Sequence, residues 1–175
     1  MIEIRDFKID KVCNEIKIVL NELAEKEYEN NIGNRLWTKY IIKKFKELGH
    51  SYGFDVCPDA DNGNSEWLYD MIWYKNKDGY LKEIPFVMES EWSYGYDCVR
   101  YDFEKLLQAD ARLKLMICCH KNGVADINYF KEYFSKAIQC YHKSSASIYL
   151  FAILQDWEPF KFEFYYYDNF CLKEF

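Results

Sequence analysis

Proline and glycine are scarce, three and seven in 175 residues. No stretch is rich in Ser, Gly or Pro, so neither a flexible linker nor an internal repeat is expected. No window approaches the roughly 20 apolar residues that cross a bilayer. The longest apolar run, Ile148 to Leu154, has seven. The opening segment MIEIRDFKIDKV carries charges throughout, unlike a secretory signal. A soluble chain is the expectation.

Other chemistries are also missing. The seven cysteines, at 13, 57, 98, 118, 119, 140 and 171, form no CxxC pair, which argues against a zinc ribbon or a thioredoxin-like centre. Most lie in apolar stretches, where a free thiol behaves as a small hydrophobe, and a reducing cytoplasm suits them. Cys118, Cys119 and His120 are adjacent on a predicted strand and point to alternate faces, so a shared zinc is not expected. No Gly-rich phosphate loop and no Ser- or Cys-centred nucleophile signature occurs. His50 and His142 follow predicted helices, where the dipole alone favours a protonated imidazole. The net charge of −6 argues against a strongly basic nucleic-acid binder.

What is abundant is apolar and aromatic. Half the residues are hydrophobic, with 13 Phe, 16 Tyr and 5 Trp. That is ample for one core, and 1–175 is read as a single domain. The spacing predicts helices over 10–25, with Asp10 as cap, and over about 36–48, opened by Asn34 and stopped by Gly49. The period then falls to two. Strands are predicted at 54–57, at WLYDMIWY (67–74) and at IPFVMESEW (84–92), the last two joined by KNKDG. A helix over 102–113 capped by Asp102, a buried strand at 113–119, a helix from Asp126 and strands at 147–154 and 160–167 complete an α/β chain, a mixed sheet flanked by helices.

The acids fall where a strand should be apolar. Leu68, Asp70 and Ile72 share one face of the first hairpin strand; Val87, Glu89 and Glu91 share one face of the second. At about 4 Å and an effective dielectric near 20, two carboxylates repel by roughly 4 kcal/mol. A fold avoids such a group, protonates it or neutralises it with a cation. Hard oxygen donors suit Mg²⁺ or Mn²⁺, which can acidify a water and offset the charge of a phosphate. The plainer reading sends Glu89 and Glu91 to solvent at a strand end and pairs Asp70 with a lysine.

The acid in WLYD, a hairpin, then VMESEW followed by a helix and a strand, resembles the PD-(D/E)xK nuclease superfamily. Its core of order α-β-β-β-α-β is matched from about 34 to 119. The resemblance implies a restriction-endonuclease-like core with an extra N-terminal helix and a C-terminal helix plus strands. It makes Asp70 the first acid and Glu89 the second, with the Ser90 carbonyl as a further metal ligand. Glu91 stands where lysine is commonest, an E-x-E departure known in some restriction enzymes, and would hold a second metal or align the water. The displaced positive charge would fall to Lys105 in DFEKLL, otherwise an ordinary exposed helix lysine. A first-helix glutamate used by many relatives has no clear counterpart: Glu47 sits near that helix's end, and Glu22 and Glu25 belong to the helix before it.

Arg35, Lys39, Lys43, Lys44 and Lys46 form an acid-free segment, either a solvated helix face or a surface for phosphates. Arg35, Lys39 and Lys43 are taken as substrate contacts, together with Arg100, which can hold phosphate bidentately. Tyr94 and Tyr96 are expected in a loop beside the acids. The implied activity is divalent-metal phosphodiester hydrolysis of nucleic acid, DNA ahead of RNA. The alternative is a non-catalytic binding module on the same scaffold. The oligomeric state is left open, a homodimer included.

Overall fold

In the computed structural model the described residues are 6–30, 34–59, 67–93, 95–120, 127–141, 146–155, 157, 160–168 and 171–175. Among them four helices and seven strands run in the order α1 (Ile9–Asn30), α2 (Asn34–Ser51), β1 (Asp55–Cys57), β2 (Met71–Lys77), β3 (Tyr80–Glu91), α3 (Tyr96–Gln108), β4 (Leu113–His120), α4 (Ile127–Cys140), β5 (Ile148–Gln155), β6 (Lys161–Asp168) and β7 (Cys171–Glu174). All seven strands join one sheet, side by side in chain order. β1, β2 and β3 are antiparallel, β3, β4 and β5 parallel, and β5, β6 and β7 antiparallel again. The mixed α/β character expected from the sequence is present.

Side-chain alternation divides the interior into two cores. Val12, Ile16 and Leu20 of α1 and Trp37, Ile41 and Phe45 of α2 pack on Trp73, Phe86, Met88 and Leu115. On the opposite face, Val99, Phe103 and Leu106 of α3 and Phe130 and Phe134 of α4 pack on Ile72, Val87, Met116 and Phe151. Each such large apolar side chain contributes about 1.5–3 kcal/mol on burial. The two β-helix-β crossovers, through α3 and α4, therefore lie on one face, and α1 and α2 cover the other.

Several boundaries differ from the sequence reading, each for a local reason. β2 begins at Met71, not at 67: Trp67 stands outside it and Leu68–Asp70 form a bend. The Ser90 N–H donates to Asp70 Oδ2 at 2.7 Å, so a carboxylate replaces the next ladder partner. α3 starts at Tyr96, after Gly95, so Asp102 lies within the helix and caps nothing. Val99 supplies the additional early turn, in register with Phe103, Leu106 and Leu107. The connection between β2 and β3 is the pair Asp78-Gly79 alone, both with positive φ, as a tight hairpin turn demands. β7 was not anticipated; it is only four residues long.

α1 starts at Ile9, so Asp10 belongs to its first turn. α2 continues through Gly49 to Ser51, and Gly53, at φ 75°, follows its end. Gly49 is there for space. A Cβ on it would lie 2.7 Å from Val56 Cγ1 and 2.8 Å from Trp73 Nε1, both in buried side chains. Only glycine lets α2 approach β1 and β2 this closely. Among the described residues no helix is long and apolar enough to cross a membrane. Asp126 and His142, given roles in the sequence reading, lie outside the described residues.

Candidate functional site

Asp70 immediately precedes β2, and Glu89 to Glu91 end β3. Met71 opposes Met88, so Asp70 and Glu89 occupy the next positions along the same hairpin. Glu89 and Glu91 share the α3 face with Val87, because strand residues two apart point the same way. β3 is parallel to β4, with Glu89 opposite Met116 and Glu91 opposite Cys118. The acids thus stand toward the carboxyl ends of parallel strands, where open α/β sheets form crevices.

Glu89 is the unusual member. It is only 1% exposed. Its Oε1 pairs with Lys105 Nζ at 2.7 Å. Burial, and secondarily the charges of Asp70 and Asp102, push its carboxyl up to about 8, although Lys105 pulls the other way. Asp102 also lies 3.3 Å from Lys105 Nζ, and its carboxyl is raised, first by burial. Lys105 loses some of its preference for charge through partial burial, but Glu89 and Asp102 outweigh that and raise it. The Tyr69 phenol is raised by burial and then by the Glu89 charge. One lysine thus serves two partly or wholly buried acids and does not restore Glu89 to the ordinary carboxylate range.

The other two acids are held by backbone. Asp70 Oδ2 accepts from both the N–H and the Oγ of Ser90, each at 2.7 Å. Glu91 Oε1 accepts from the Ser93 N–H at 2.7 Å, which turns one of its oxygens toward the strand end. Among the described residues no three His, Cys, Asp or Glu side chains are grouped closely enough to hold a metal ion. The pair Asp70 and Glu89, at neighbouring positions of the hairpin and with Asp70 tied to the Ser90 that follows Glu89, is what remains. A pair is enough for Mg²⁺, which ordinarily takes one or two protein carboxylates and completes its shell with water and phosphate. The buried Glu89 carboxyl, which Lys105 does not restore to the ordinary carboxylate range, fits such a group.

The proposed phosphate contacts are dispersed. Lys39 and Lys43 are exposed on α2, across the sheet from Glu89, and Arg35 is in the same helix with its side chain outside the described ones. Trp92 Nε1 donates to Thr38 Oγ1 at 3.0 Å and ties the start of α2 to the end of β3. Lys44 pairs with Glu47, and Lys46 with buried Asp59. Arg100 turns toward α4, with Asp97 and Glu104 within 3.5 and 3.7 Å and the Tyr133 ring beneath it. Tyr96 opens α3 and packs on Tyr129 and Phe130 instead of lying in a loop; Tyr94 lies outside the described residues.

Sequence reasoning missed Asp102 as the second partner of Lys105, although the three-residue spacing of the two on one helix signals such a pair. It missed the Ser90 side chain as the clamp on Asp70, for which no sequence signal exists. It also missed Lys114, fully buried on the α3 face with its Nζ 3.1 Å from Tyr149 Oη and 3.4 Å from the Leu107 carbonyl. No protein-family model matches this chain, and no curated protein or solved structure proves similar to it.

Proposed function

We propose that this chain hydrolyses phosphodiester bonds of nucleic acid, DNA ahead of RNA, with Mg²⁺ or Mn²⁺ as cofactor. The observation that carries the reading is Glu89: a buried carboxyl on an apolar sheet face, beside Asp70, that the Lys105 ammonium offsets without restoring it to the ordinary carboxylate range. Asp70, Glu89 and the Ser90 carbonyl would hold the cation, which when bound supplies an acidified water and offsets phosphate charge. The order α2-β1-β2-β3-α3-β4 supports a likeness to the PD-(D/E)xK scaffold.

The chain's own groups have separable tasks. Ser90, through N–H and Oγ, fixes Asp70 Oδ2 and so orients the carboxylate. Lys105, held between Glu89 and Asp102, is the positive charge that can exchange a carboxylate for a phosphate oxygen. Glu91, with one oxygen on the Ser93 N–H, has the other available to accept a proton from water. Asp102 keeps Lys105 charged and in place.

One observation favours a second reading, a non-catalytic binding module. The Glu89–Lys105 contact at 2.7 Å opposes the buried charge without a metal. Metal titration and cleavage separate the two. The nuclease reading expects Mn²⁺ binding by calorimetry that is lost in Glu89→Ala, and metal-dependent cleavage lost in Asp70→Ala and Glu89→Ala. Absence of binding, or cleavage that survives both substitutions, rejects it.

A further inference from the structure

The hairpin of β2 and β3 is longer than the sheet around it. β1 pairs with β2 only at Ile72–Tyr74, and β4 pairs with β3 only at Phe86–Glu91. Beyond those residues the two strands continue as a ribbon, pairing Lys75 with Glu83, Asn76 with Leu81 and Lys77 with Tyr80. Among the described residues neither edge of this arm is paired. Nearly every side chain on it is exposed, Tyr80 by 78% and Leu81 by 49%.

The arm carries three lysines, Lys75, Lys77 and Lys82, and two acids, Asp78 and Glu83. Lys75 and Lys77 lie two apart on β2 and share a face; Tyr80 opposes Lys77. The pairing shifts by one residue between Lys75 and Asn76, a bulge that brings Lys82 alongside Glu83 opposite Lys75. That face therefore carries Lys75, Lys77 and Lys82 around Tyr80, with Glu83 opposite Lys75. None of the three pairs with a carboxylate among the described residues, whereas Lys44, Lys46, Lys105 and Lys136 all do. On a chain of net charge −6, the three lysines of this arm outnumber its two acids, Asp78 and Glu83.

We infer that the β2–β3 arm grips duplex DNA, its lysines on phosphates and its Tyr80 tip in a groove. A two-stranded ribbon has the width that the major groove admits. Unpaired lysines gain by releasing the counterions of a polyanion. A second copy of the chain fits less well, because two such arms would bring six lysines together. Tyr80 and Glu89 are separated along β3 by roughly 30 Å at about 3.3 Å per residue. A single duplex of about ten base pairs covers that span. The inference takes from the proposed function only the identity of the partner as nucleic acid, and needs no catalysis.

The test is fluorescence anisotropy with a labelled duplex of about 20 base pairs, in EDTA, across a salt series. The variant K75A/K77A/K82A is expected to weaken binding by about two to three decades at 0.1 M salt and to lower the salt slope by about 2.7. Tyr80→Ala is expected to weaken binding with the slope unchanged. An unaltered slope in the triple variant, or a wild type that binds no duplex, overturns the inference. So does sedimentation showing a wild-type dimer that the triple variant dissociates. Arm-dependent binding by a wild type that never cleaves keeps the arm and removes the nuclease.

Discussion

The ammonium of Lys105 lies 2.7 Å from the Glu89 carboxylate, yet burial still holds that carboxyl near pKa 8 instead of its ordinary 4.5. The native state therefore keeps a proton that the unfolded chain releases between these values. With the folded pKa raised, the stability contributed by protonated Glu89 is complete below about pH 4.5, falls as pH rises, and is gone above about pH 8. Glu89→Gln removes this dependence. Chemical denaturation at pH 5 and pH 9 is expected to show a variant that gains stability over wild type only at the higher pH, by a few kcal/mol. Equal differences at both pH values reject the assignment.

Asp102→Asn removes a charge that raises Glu89 and a partner of Lys105. The midpoint of the pH-dependent stability loss should move down toward neutrality. Two-dimensional NMR of the Glu89 carboxyl carbon reads this directly, and an upward movement contradicts the electrostatic picture.

Ser90→Ala deletes one of two donors to Asp70 Oδ2 and leaves the backbone N–H in place. A loss of about 1–2 kcal/mol is expected, as for a hydrogen bond to a charged acceptor that is partly buried. If Asp70 acts on substrate, cleavage should fall by more than the change in stability explains. Ser90→Thr, which restores the hydroxyl, should recover it.

Gly49→Ala raises helix propensity by roughly 1 kcal/mol but places a methyl against Val56 and Trp73. Overpacking of a rigid core costs about 1–3 kcal/mol. A net loss is expected, with a lower thermal midpoint and a changed near-ultraviolet signal from Trp73. A more stable variant means that α2 can back away from the sheet.

Much of this arrangement was legible because it follows from periodicity. The helices rest on apolar residues at three- and four-residue spacing, and the period-two hairpin at 71–91 places Val87 and Glu89 on one face whatever the surroundings. The same alternation marked Glu89 as an acid on an apolar face. The boundaries were less legible because they depend on partners distant in sequence. Nothing near Asp70 announces that the Ser90 amide will end its strand, and nothing near Gly49 announces Trp73. Arg100 read as a phosphate contact although Asp97 and Glu104 flank it on α3 itself, at a spacing the sequence shows; only Tyr133 arrives from α4. Lys39 and Lys43 read as substrate contacts, but the face to which a helix docks is set by crossover geometry, which composition does not record.

The sheet runs from β1 to β7 without a single strand out of turn. Each strand finds its neighbour in the stretch of chain just before it, so no closure is longer than one helix and its loops. A ribosome can therefore deliver this protein as a growing edge, each new strand adding to a template already laid down. The pairing that brings Asp70 beside Glu89 is complete when β3 emerges, and Lys105 follows within the next helix. The candidate site is thus assembled early, and the last four strands arrive to extend a sheet in which it already stands.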